Sequence, residues 1–273
     1  MTYQEFLSFK KEFRLNSGEI ITYYDKGWGW PMVLFHGWAS SSFIWTQSFP
    51  VLVKNFRVIA FELPKDLEYY QRRPNVFWSL AEDYEEVINK LRLERITLVG
   101  SSMGGGVAAI LATRLPEVKT LILANTVGLP FHLPLVLQLT RLPSELRRQL
   151  LKFLPLSFPQ IVLNYYHLFG NPHLQRKEIL NQILEDWCTC RATGEILHQI
   201  RYAGLERVFR EVKVRTLLIW GRKDRVIPVF HAERIASLLP NPKVEIFNHL
   251  AHIPMFEDPD TFTRVCLNFA SQV

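Results

Sequence analysis

Short apolar runs alternate along the chain with longer amphipathic segments. Each apolar run has the length of a buried strand; these runs lie at 32–35, 56–61, 96–100, 118–124, 214–220 and 243–247. The segments between them repeat apolar residues at helical spacing, at about 43–53, 78–92, 103–114, 230–238 and 259–271. This alternation predicts a mostly parallel sheet covered by helices on both faces.

An antiparallel hairpin is predicted ahead of the first parallel strand. Residues Phe6–Phe13 and Ile20–Tyr24 alternate between apolar and polar side chains, and the turn sequence Asn16-Ser17-Gly18 separates them. With these two strands, the predicted sheet has eight.

The alternation is interrupted between about residues 127 and 205. Prolines there separate helical segments that are rich in leucine and phenylalanine, at positions 130, 134, 143, 155, 159 and 172. We predict a helical cap (127–205) inserted into a core formed by 1–126 and 206–273. Most of the apolar cap residues are expected to pack on the core, and some to line an apolar substrate pocket.

Thr120–Leu139 is almost uncharged over the length of a membrane span, but its glycine and prolines favour a buried strand that continues into the cap.

Length and composition are those of a globular enzyme. The chain has 273 residues, 48% hydrophobic and 21% charged, enough for one α/β core with an insertion. The net charge of +6 permits an acidic partner or a membrane surface, but no basic and aromatic motif for nucleic acid accompanies it. Basic residues at 141, 147, 148 and 152 flank apolar ones and could touch a membrane or an acyl carrier protein, although an ordinary cap helix is the simpler interpretation.

Cysteine usage and the first residues favour a reducing compartment. Cys188, Cys190 and Cys266 form too sparse and odd a set for a disulfide framework. The stretch Met1–Glu5 lacks the basic and apolar regions of a signal peptide. Neither the cysteines nor the histidines show metal-ligand spacing. We therefore expect a cytoplasmic enzyme without metal or organic cofactor, either a monomer or a homodimer.

The strongest chemical signal is Gly100-Ser101-Ser102-Met103-Gly104. It follows an apolar strand and precedes a helix rich in small residues, which is the context of a nucleophile elbow. The glycines lie two residues before and two after Ser102, so Ser102 rather than Ser101 is the candidate nucleophile.

An acid and a base follow in the chain order of this type of site. Asp224 comes directly after the strand at 214–220, where loops of a parallel sheet carry functional groups. The preceding strand ends at Asn125, which cannot act as a carboxylate. After the last strand, His249 and His252 compete for the role of base.

Two backbone N–H groups are candidates for an oxyanion hole. The N–H of Met103 follows the nucleophile, and the N–H of Trp38 follows the turn His36-Gly37 after another apolar strand. His36 itself is expected to brace this loop by hydrogen bonding rather than to take part in the chemistry.

These segments together resemble the α/β-hydrolase superfamily. The matching residues are His36-Gly37-Trp38, Gly100–Gly104, Gly221–Asp224 and Ala251-His252 with Glu257 and Pro259. The resemblance implies a mostly parallel eight-stranded sheet with a cap insertion, and it favours His252 over His249 as the base. A serine nucleophile is typical of the esterase, lipase, thioesterase and C–C hydrolase branches, whereas dehalogenases and epoxide hydrolases use aspartate.

One segment departs from the family pattern. After the strand at 56–61 the family has a glycine-rich loop, but this chain has Glu62–Tyr70, with no glycine and two tyrosines. The fit of a substrate therefore cannot be transferred from relatives. Several tryptophans could line the site or fill gaps, at positions 28, 30, 45, 78 and 187.

The sequence thus predicts a serine hydrolase with the triad Ser102, His252 and Asp224. The expected substrate is a small lipophilic molecule, a carboxylic ester with an apolar, medium-sized acyl or alcohol part. The alternatives are a C–C bond hydrolase of a vinylogous diketone, an acyl thioesterase, and a ligand receptor that turns over slowly. No substrate-binding residue is assigned.

Overall fold

The computed structural model describes residues 1–73, 75–130, 192–200, 202 and 204–272, together with the isolated positions 142, 143, 145, 146 and 149. Its strands are β1 (Lys10–Arg14), β2 (Ile20–Lys26), β3 (Pro31–Phe35), β4 (Arg57–Phe61), β5 (Ile96–Ser101), β6 (Val118–Ala124), β7 (Arg215–Gly221) and β8 (Lys243–Phe247).

The helices within the described residues connect these strands. They are α1 (Tyr3–Leu7), a 3₁₀ turn (Ser42–Trp45), α2 (Phe49–Leu52), α3 (Leu67–Gln71), α4 (Val76–Lys90), α5 (Met103–Arg114), α6 (Ala192–Gln199), α7 (Leu205–Glu211), α8 (Phe230–Ala236), α9 (Pro254–Glu257) and α10 (Pro259–Ala270).

All eight strands form one sheet, in the order β1-β2-β4-β3-β5-β6-β7-β8. Strands β1 and β2 are antiparallel, and β3 to β8 run parallel to one another. The predicted eight-stranded, mostly parallel sheet is therefore confirmed. Because the carboxyl ends of β3, β5, β7 and β8 meet at one edge, the loops that follow them lie together.

Alternate residues of the central strands enter two separate cores. Val33 and Phe35 of β3 pack with α4, α5, α7 and α8 on one face. Met32 and Leu34 pack with α1, α2 and α10 on the other face. The period of two along a strand thus buries both faces of the sheet, as predicted.

Two local predictions need correction, and two short helices were not predicted. Phe6 and Leu7 belong to α1 rather than to a strand, because Thr2 and Glu5 form a capping box and Phe6 is buried against the core. The predicted helix at 43–53 is broken into a 3₁₀ turn and α2, with Pro50 in the first turn of α2. The helices α3 and α9 are too short to leave a periodic pattern.

Most of the predicted cap (127–205) lies outside the described residues, as do Cys188, Cys190, Trp187 and the basic cap residues. The described part of the range 127–205 includes α6. Leu205, the last residue of the range, is the first residue of α7. Within the described part of the chain, no helix has the length and apolarity to cross a membrane.

Candidate active site

Ser102 occupies a strained turn between β5 and α5. Its backbone has φ 52° and ψ −119°, a conformation that is costly for a residue other than glycine. Three hydrogen bonds hold the turn: Ser102 N–H donates to the Ala124 carbonyl at 3.0 Å, and the Ser102 carbonyl accepts from Gly105 and Val127, each at 3.0 Å. The predicted nucleophile therefore has the backbone geometry of a nucleophile elbow.

Glycines allow the elbow to approach its neighbours. A Cβ on Gly100 would overlap the backbone of Gly104 and Gly105, and a Cβ on Gly104 would overlap the carbonyl of Phe35. A Cβ on Gly37 would lie 2.9 Å from the Cβ of Ser102 and 3.3 Å from its Oγ. The loop after β3 is thus in direct contact with the serine.

The two N–H groups predicted as oxyanion donors belong to residues next to this contact. Met103 is the first residue of α5, so its N–H has no carbonyl partner within the helix. Trp38 follows Gly37, and Ala39 has a positive φ of 55°, which marks a sharp turn at this point.

His36 braces this loop from beneath, as predicted. Its Nδ1 lies 2.9 Å from the Gly37 carbonyl oxygen. Its Nε2 lies 3.0 Å from the Leu63 nitrogen and 3.2 Å from Glu62 Oε1. Since His36 and Glu62 are both buried, the ring connects the end of β3 to the end of β4 rather than facing a substrate.

Glu62, the first residue of the unusual loop, carries a buried carboxylate. Burial opposes its ionisation, but the charge and hydrogen bond of His36 outweigh that penalty and lower the pKa of Glu62. Its Oε2 also accepts from the Ser42 N–H at 3.1 Å. The first residue of the segment that departs from the family pattern thus contacts His36, which in turn contacts the loop after β3.

Asp224 follows β7 and uses both carboxylate oxygens. Oδ1 accepts from the backbone N–H groups of Val226 and Ile227 at 2.8 and 2.9 Å. Oδ2 lies 2.8 Å from His252 Nδ1. Asp224 and His252, the predicted acid and base, are therefore in contact, and both are buried.

Asn125 is a site residue that the sequence did not reveal. Its Nδ2 donates to Asp224 Oδ2 at 2.5 Å and to the Ala251 carbonyl at 3.1 Å. Its backbone has φ 46°, which asparagine tolerates better than most residues. The sequence showed only that this position lacks a carboxylate; its role depends on β6 lying next to β7.

Glu257 fixes the loop that carries His252. Its carboxylate accepts from the Ala251 N–H at 3.0 and 3.2 Å and from the Ile253 N–H at 3.2 Å. Both neighbours of the histidine are therefore anchored to one side chain. His249 is separate from this group: its Nε2 lies 3.2 Å from Asp258 Oδ2 at an exposed position.

The described end of the predicted cap region contacts the oxyanion loop. The Trp38 indole donates to the Thr193 carbonyl in α6 at 2.7 Å. The Gln199 amide, also in α6, donates to the carbonyl of Tyr70 in α3. In turn, Tyr69 donates to Asp83 of α4 at 2.5 Å, so the unusual loop joins the core to α6.

The structure thus assembles two groups at the carboxyl edge of the sheet: Ser102 with the loop of Gly37 and Trp38, and the pair His252–Asp224. Ala124, which accepts from Ser102 N–H, directly precedes Asn125, which donates to Asp224. Among the described residues, no three side chains of histidine, cysteine, aspartate or glutamate are grouped as metal ligands would be.

Comparison with known proteins gives the class of the chain. Residues 31–259 match the family model described as the alpha/beta hydrolase fold. The chain belongs to this family, and by family it is a hydrolase.

The individual proteins that the chain resembles share less than 30% of its residues. An uncharacterized protein of Mycobacterium tuberculosis is 28% identical, over 94% of this chain and 80% of its own length. The 2-hydroxy-6-oxo-6-(2'-aminophenyl)hexa-2,4-dienoic acid hydrolase of Metapseudomonas resinovorans is 26% identical, over 94% of this chain and 90% of its own. The structure of an esterase from Exiguobacterium antarcticum superposes with a TM-score of 0.76 at 22% identity, covering 96% of this chain and 99% of that one.

Proposed function

We propose that the protein is a serine hydrolase in which Ser102 is the nucleophile, His252 the general base and Asp224 the residue that orients it. The observation that carries the proposal is the strained backbone of Ser102 at the same sheet edge as the His252–Asp224 hydrogen bond. A positive φ on a serine is costly, and such strain persists where function requires it.

The hydrogen bond between Asp224 and His252 indicates which nitrogen of the histidine accepts the proton in the proposed mechanism. Since His252 Nδ1 faces Asp224, its Nε2 is the ring atom available to take the proton of Ser102. The serine oxygen then attacks the carbonyl carbon, and the imidazolium returns the proton to the leaving group. Water, activated by the same histidine, hydrolyses the acyl-enzyme and restores Ser102.

The negative charge of each tetrahedral intermediate needs fixed donors. The N–H groups of Met103 and Trp38 are proposed for this role because the first begins α5 and the second lies on the loop that contacts Ser102. Loss of one such donor typically lowers the rate by about 10²–10³-fold.

The proposed substrate is a carboxylic ester with an apolar, medium-sized acyl or alcohol part. Ester hydrolysis needs only the nucleophile, the base, the orienting acid and the oxyanion donors. The apolar composition of residues 127–205 supports a lipophilic substrate.

The test is hydrolysis of p-nitrophenyl esters, from acetate to palmitate, by wild type and Ser102→Ala. Activity that peaks at one acyl length and is lost in the variant supports the proposal. Equal activity in both proteins would refute the role of Ser102. Acyl-thioesters, assayed in parallel, identify a thioesterase if they are cleaved in preference to esters of the same acyl length.

C–C bond hydrolysis is the second candidate, because a relative named as a dienoic acid hydrolase is 26% identical over 94% of this chain. A vinylogous diketone, followed by the loss of its absorbance, separates the two activities. Cleavage of the diketone with only slow ester hydrolysis would favour this candidate. Labelling of Ser102 by a fluorophosphonate without turnover of any of these substrates would indicate a ligand receptor.

A further inference from the structure

The loop between β2 and β3 exposes two tryptophans. Trp28 is 76% exposed and Trp30 is 44% exposed, although tryptophan is usually largely buried. Gly27 and Gly29 have φ of 93° and 89°, and a Cβ on Gly27 would overlap the Phe56 carbonyl. The loop is therefore seated against the turn before β4, and its backbone directs Trp28 outward.

This loop lies at the edge of the sheet opposite the candidate active site. Trp30 immediately precedes β3, whereas His36 and Gly37 follow it. A five-residue strand is about 17 Å long, so Trp28 and Trp30 do not line the substrate site. Of the other four tryptophans with described positions, Trp45 and Trp220 are fully buried, Trp38 lies on the loop beside Ser102, and Trp78 belongs to α4 and faces Gly204.

The surroundings of the loop are basic. We define the tryptophan edge as residues 10–12, 25–30, 53–57 and 92–95, which are brought together by strand pairing and by contacts of this loop. These segments contain seven lysines and arginines against three acidic residues. The excess of four compares with six for the whole chain, so positive charge is concentrated here.

The acidic residues of this edge are largely engaged by its cations. Lys11 and Arg57 share Asp25, at 2.8 and 2.9 Å. Lys10 lies 2.6 Å from Glu12. Each paired carboxylate offsets the charge of one cation, so the edge presents its net excess of four positive charges to solvent.

A depression beside Trp28 is lined mostly by cationic side chains. It is open to solvent, has a volume of about 460 Å³, and is lined by Lys11, Asp25, Lys26, Gly27, Trp28 and Arg57. Three of these side chains are cationic, and the only carboxylate is already paired with two of them.

We propose that the tryptophan edge docks the protein on an anionic phospholipid bilayer, with the Trp28 indole at the level of the headgroups. Tryptophan is enriched at the boundary between membrane and water because its ring is apolar and its N–H is polar. Lysines and arginines near an anionic surface each add about 1 kcal/mol of attraction, which corresponds to about a fivefold gain in binding. The indole thus offers the bilayer an interfacial contact, and the cations offer it an electrostatic attraction.

A bilayer fits this surface better than single-stranded nucleic acid does. Nucleic acid binds in basic grooves where aromatic faces stack on bases. One face of Trp30 is covered by the Arg95 guanidinium, 3.8 Å from the ring centre. Trp28 borders the open depression but leaves most of its ring in solvent, where it can enter a bilayer surface.

The proposal is independent of the proposed hydrolase function. Because Ser102 lies at the far edge of the sheet, Ser102→Ala is expected to bind vesicles like wild type. For the same reason, vesicles are expected to leave the hydrolysis of a water-soluble ester unchanged.

The experiment is co-sedimentation of the full chain with vesicles of equal parts phosphatidylglycerol and phosphatidylcholine, and with vesicles of phosphatidylcholine alone. The test variants are Trp28→Ser and the pair Lys26→Gln with Lys54→Gln. Their controls are Phe230→Ser, another exposed aromatic, and the pair Arg207→Gln with Arg210→Gln, which removes the same charge from α7.

Wild type is expected to bind the anionic vesicles selectively and to dissociate as salt is raised. Each lysine substitution should weaken binding about fivefold. Trp28→Ser should weaken it several-fold and abolish quenching of tryptophan fluorescence by brominated lipid in the vesicle. The controls should bind like wild type.

Three results would overturn the proposal. They are an absence of binding at low salt, equal weakening by the test and control variants, and binding of single-stranded DNA in place of vesicles. Circular dichroism of each variant verifies that a loss of binding does not come from unfolding.

Discussion

Asn125 Nδ2 lies 2.5 Å from Asp224 Oδ2, the same oxygen that lies 2.8 Å from His252 Nδ1. The amide and the imidazole therefore share one oxygen of the carboxylate. Because Asn125 also donates to the Ala251 carbonyl, one residue before His252, it fixes both partners of the pair. The orientation of the proposed base thus depends on a side chain that does not itself transfer protons.

Asn125→Asp is expected to lower kcat at least about tenfold at neutral pH. It places a second carboxyl beside Asp224, and two such groups cannot both ionise without mutual repulsion. Asn125→Gly, which keeps the backbone at φ 46° without strain, removes only the amide and should cost about 1–3 kcal/mol of stability. Ester hydrolysis and urea denaturation measure these effects; wild-type kcat in Asn125→Asp would contradict them.

Glu257→Gln is expected to lower kcat more than it changes KM. The carboxylate accepts from the N–H groups on either side of His252, so its neutralisation loosens the base without touching a substrate. Charge-assisted hydrogen bonds of this kind contribute about 1.5–3 kcal/mol, which should appear as a lower Tm. Glu233→Gln, an exposed glutamate on α8, is the control, and equal effects of the two substitutions would refute the role of Glu257.

Gly37→Ala is expected to lower activity by about 100-fold while the fold is retained. The new Cβ would lie 2.9 Å from that of Ser102, so the oxyanion loop must move away from the nucleophile. Displacements of about 1 Å can reduce rates by this amount. Gly18→Ala is the matched control: its φ of 97° makes the change strained, but no atom lies within 4 Å of the new Cβ. It should reduce stability and leave kcat unchanged.

Asp25 should make stability depend on pH in the acid range. Burial alone would raise the pKa of Asp25, but hydrogen bonds from Arg57 and Lys11 outweigh burial and lower it. Its contribution is therefore complete above the unfolded pKa of about 3.9 and is lost as pH falls through the lower folded value. Urea denaturation of wild type and Asp25→Asn should differ at pH 7 and converge in strong acid. A constant difference would contradict this assignment.

The strands of the sheet and the position of the elbow were predictable from the sequence, because each depends on one simple packing requirement. The parallel strands are buried on both faces, so their continuous apolar runs identify them, and Gly100 and Gly104 mark the elbow because close packing admits no Cβ. Asp224 followed from its position after a strand, whereas His252 was preferred to His249 on the family resemblance; the structure places Asp224 and His252 in contact.

Other features were not predictable because they depend on contacts distant in sequence. Nothing near Asn125 reveals that β7 will bring Asp224 to its amide. Phe6 is a different case, because its signal is local: Thr2 and Glu5 have the spacing of a capping box, but Phe6 also fits the alternation of a strand, and α1 forms instead. The exposure of Trp28 follows from how its loop is seated against the turn before β4, which spacing alone does not show.

The most direct test of the central claim is labelling by a fluorophosphonate, with the adduct located by peptide mass spectrometry. Wild type, Ser102→Ala and His252→Ala are compared, and Ser101→Ala is the matched control because its side chain is the adjacent hydroxyl. The account predicts an adduct on Ser102 in wild type and Ser101→Ala, none in Ser102→Ala, and labelling slowed by several orders of magnitude in His252→Ala. An adduct on another residue, or labelling that persists in Ser102→Ala, would contradict it.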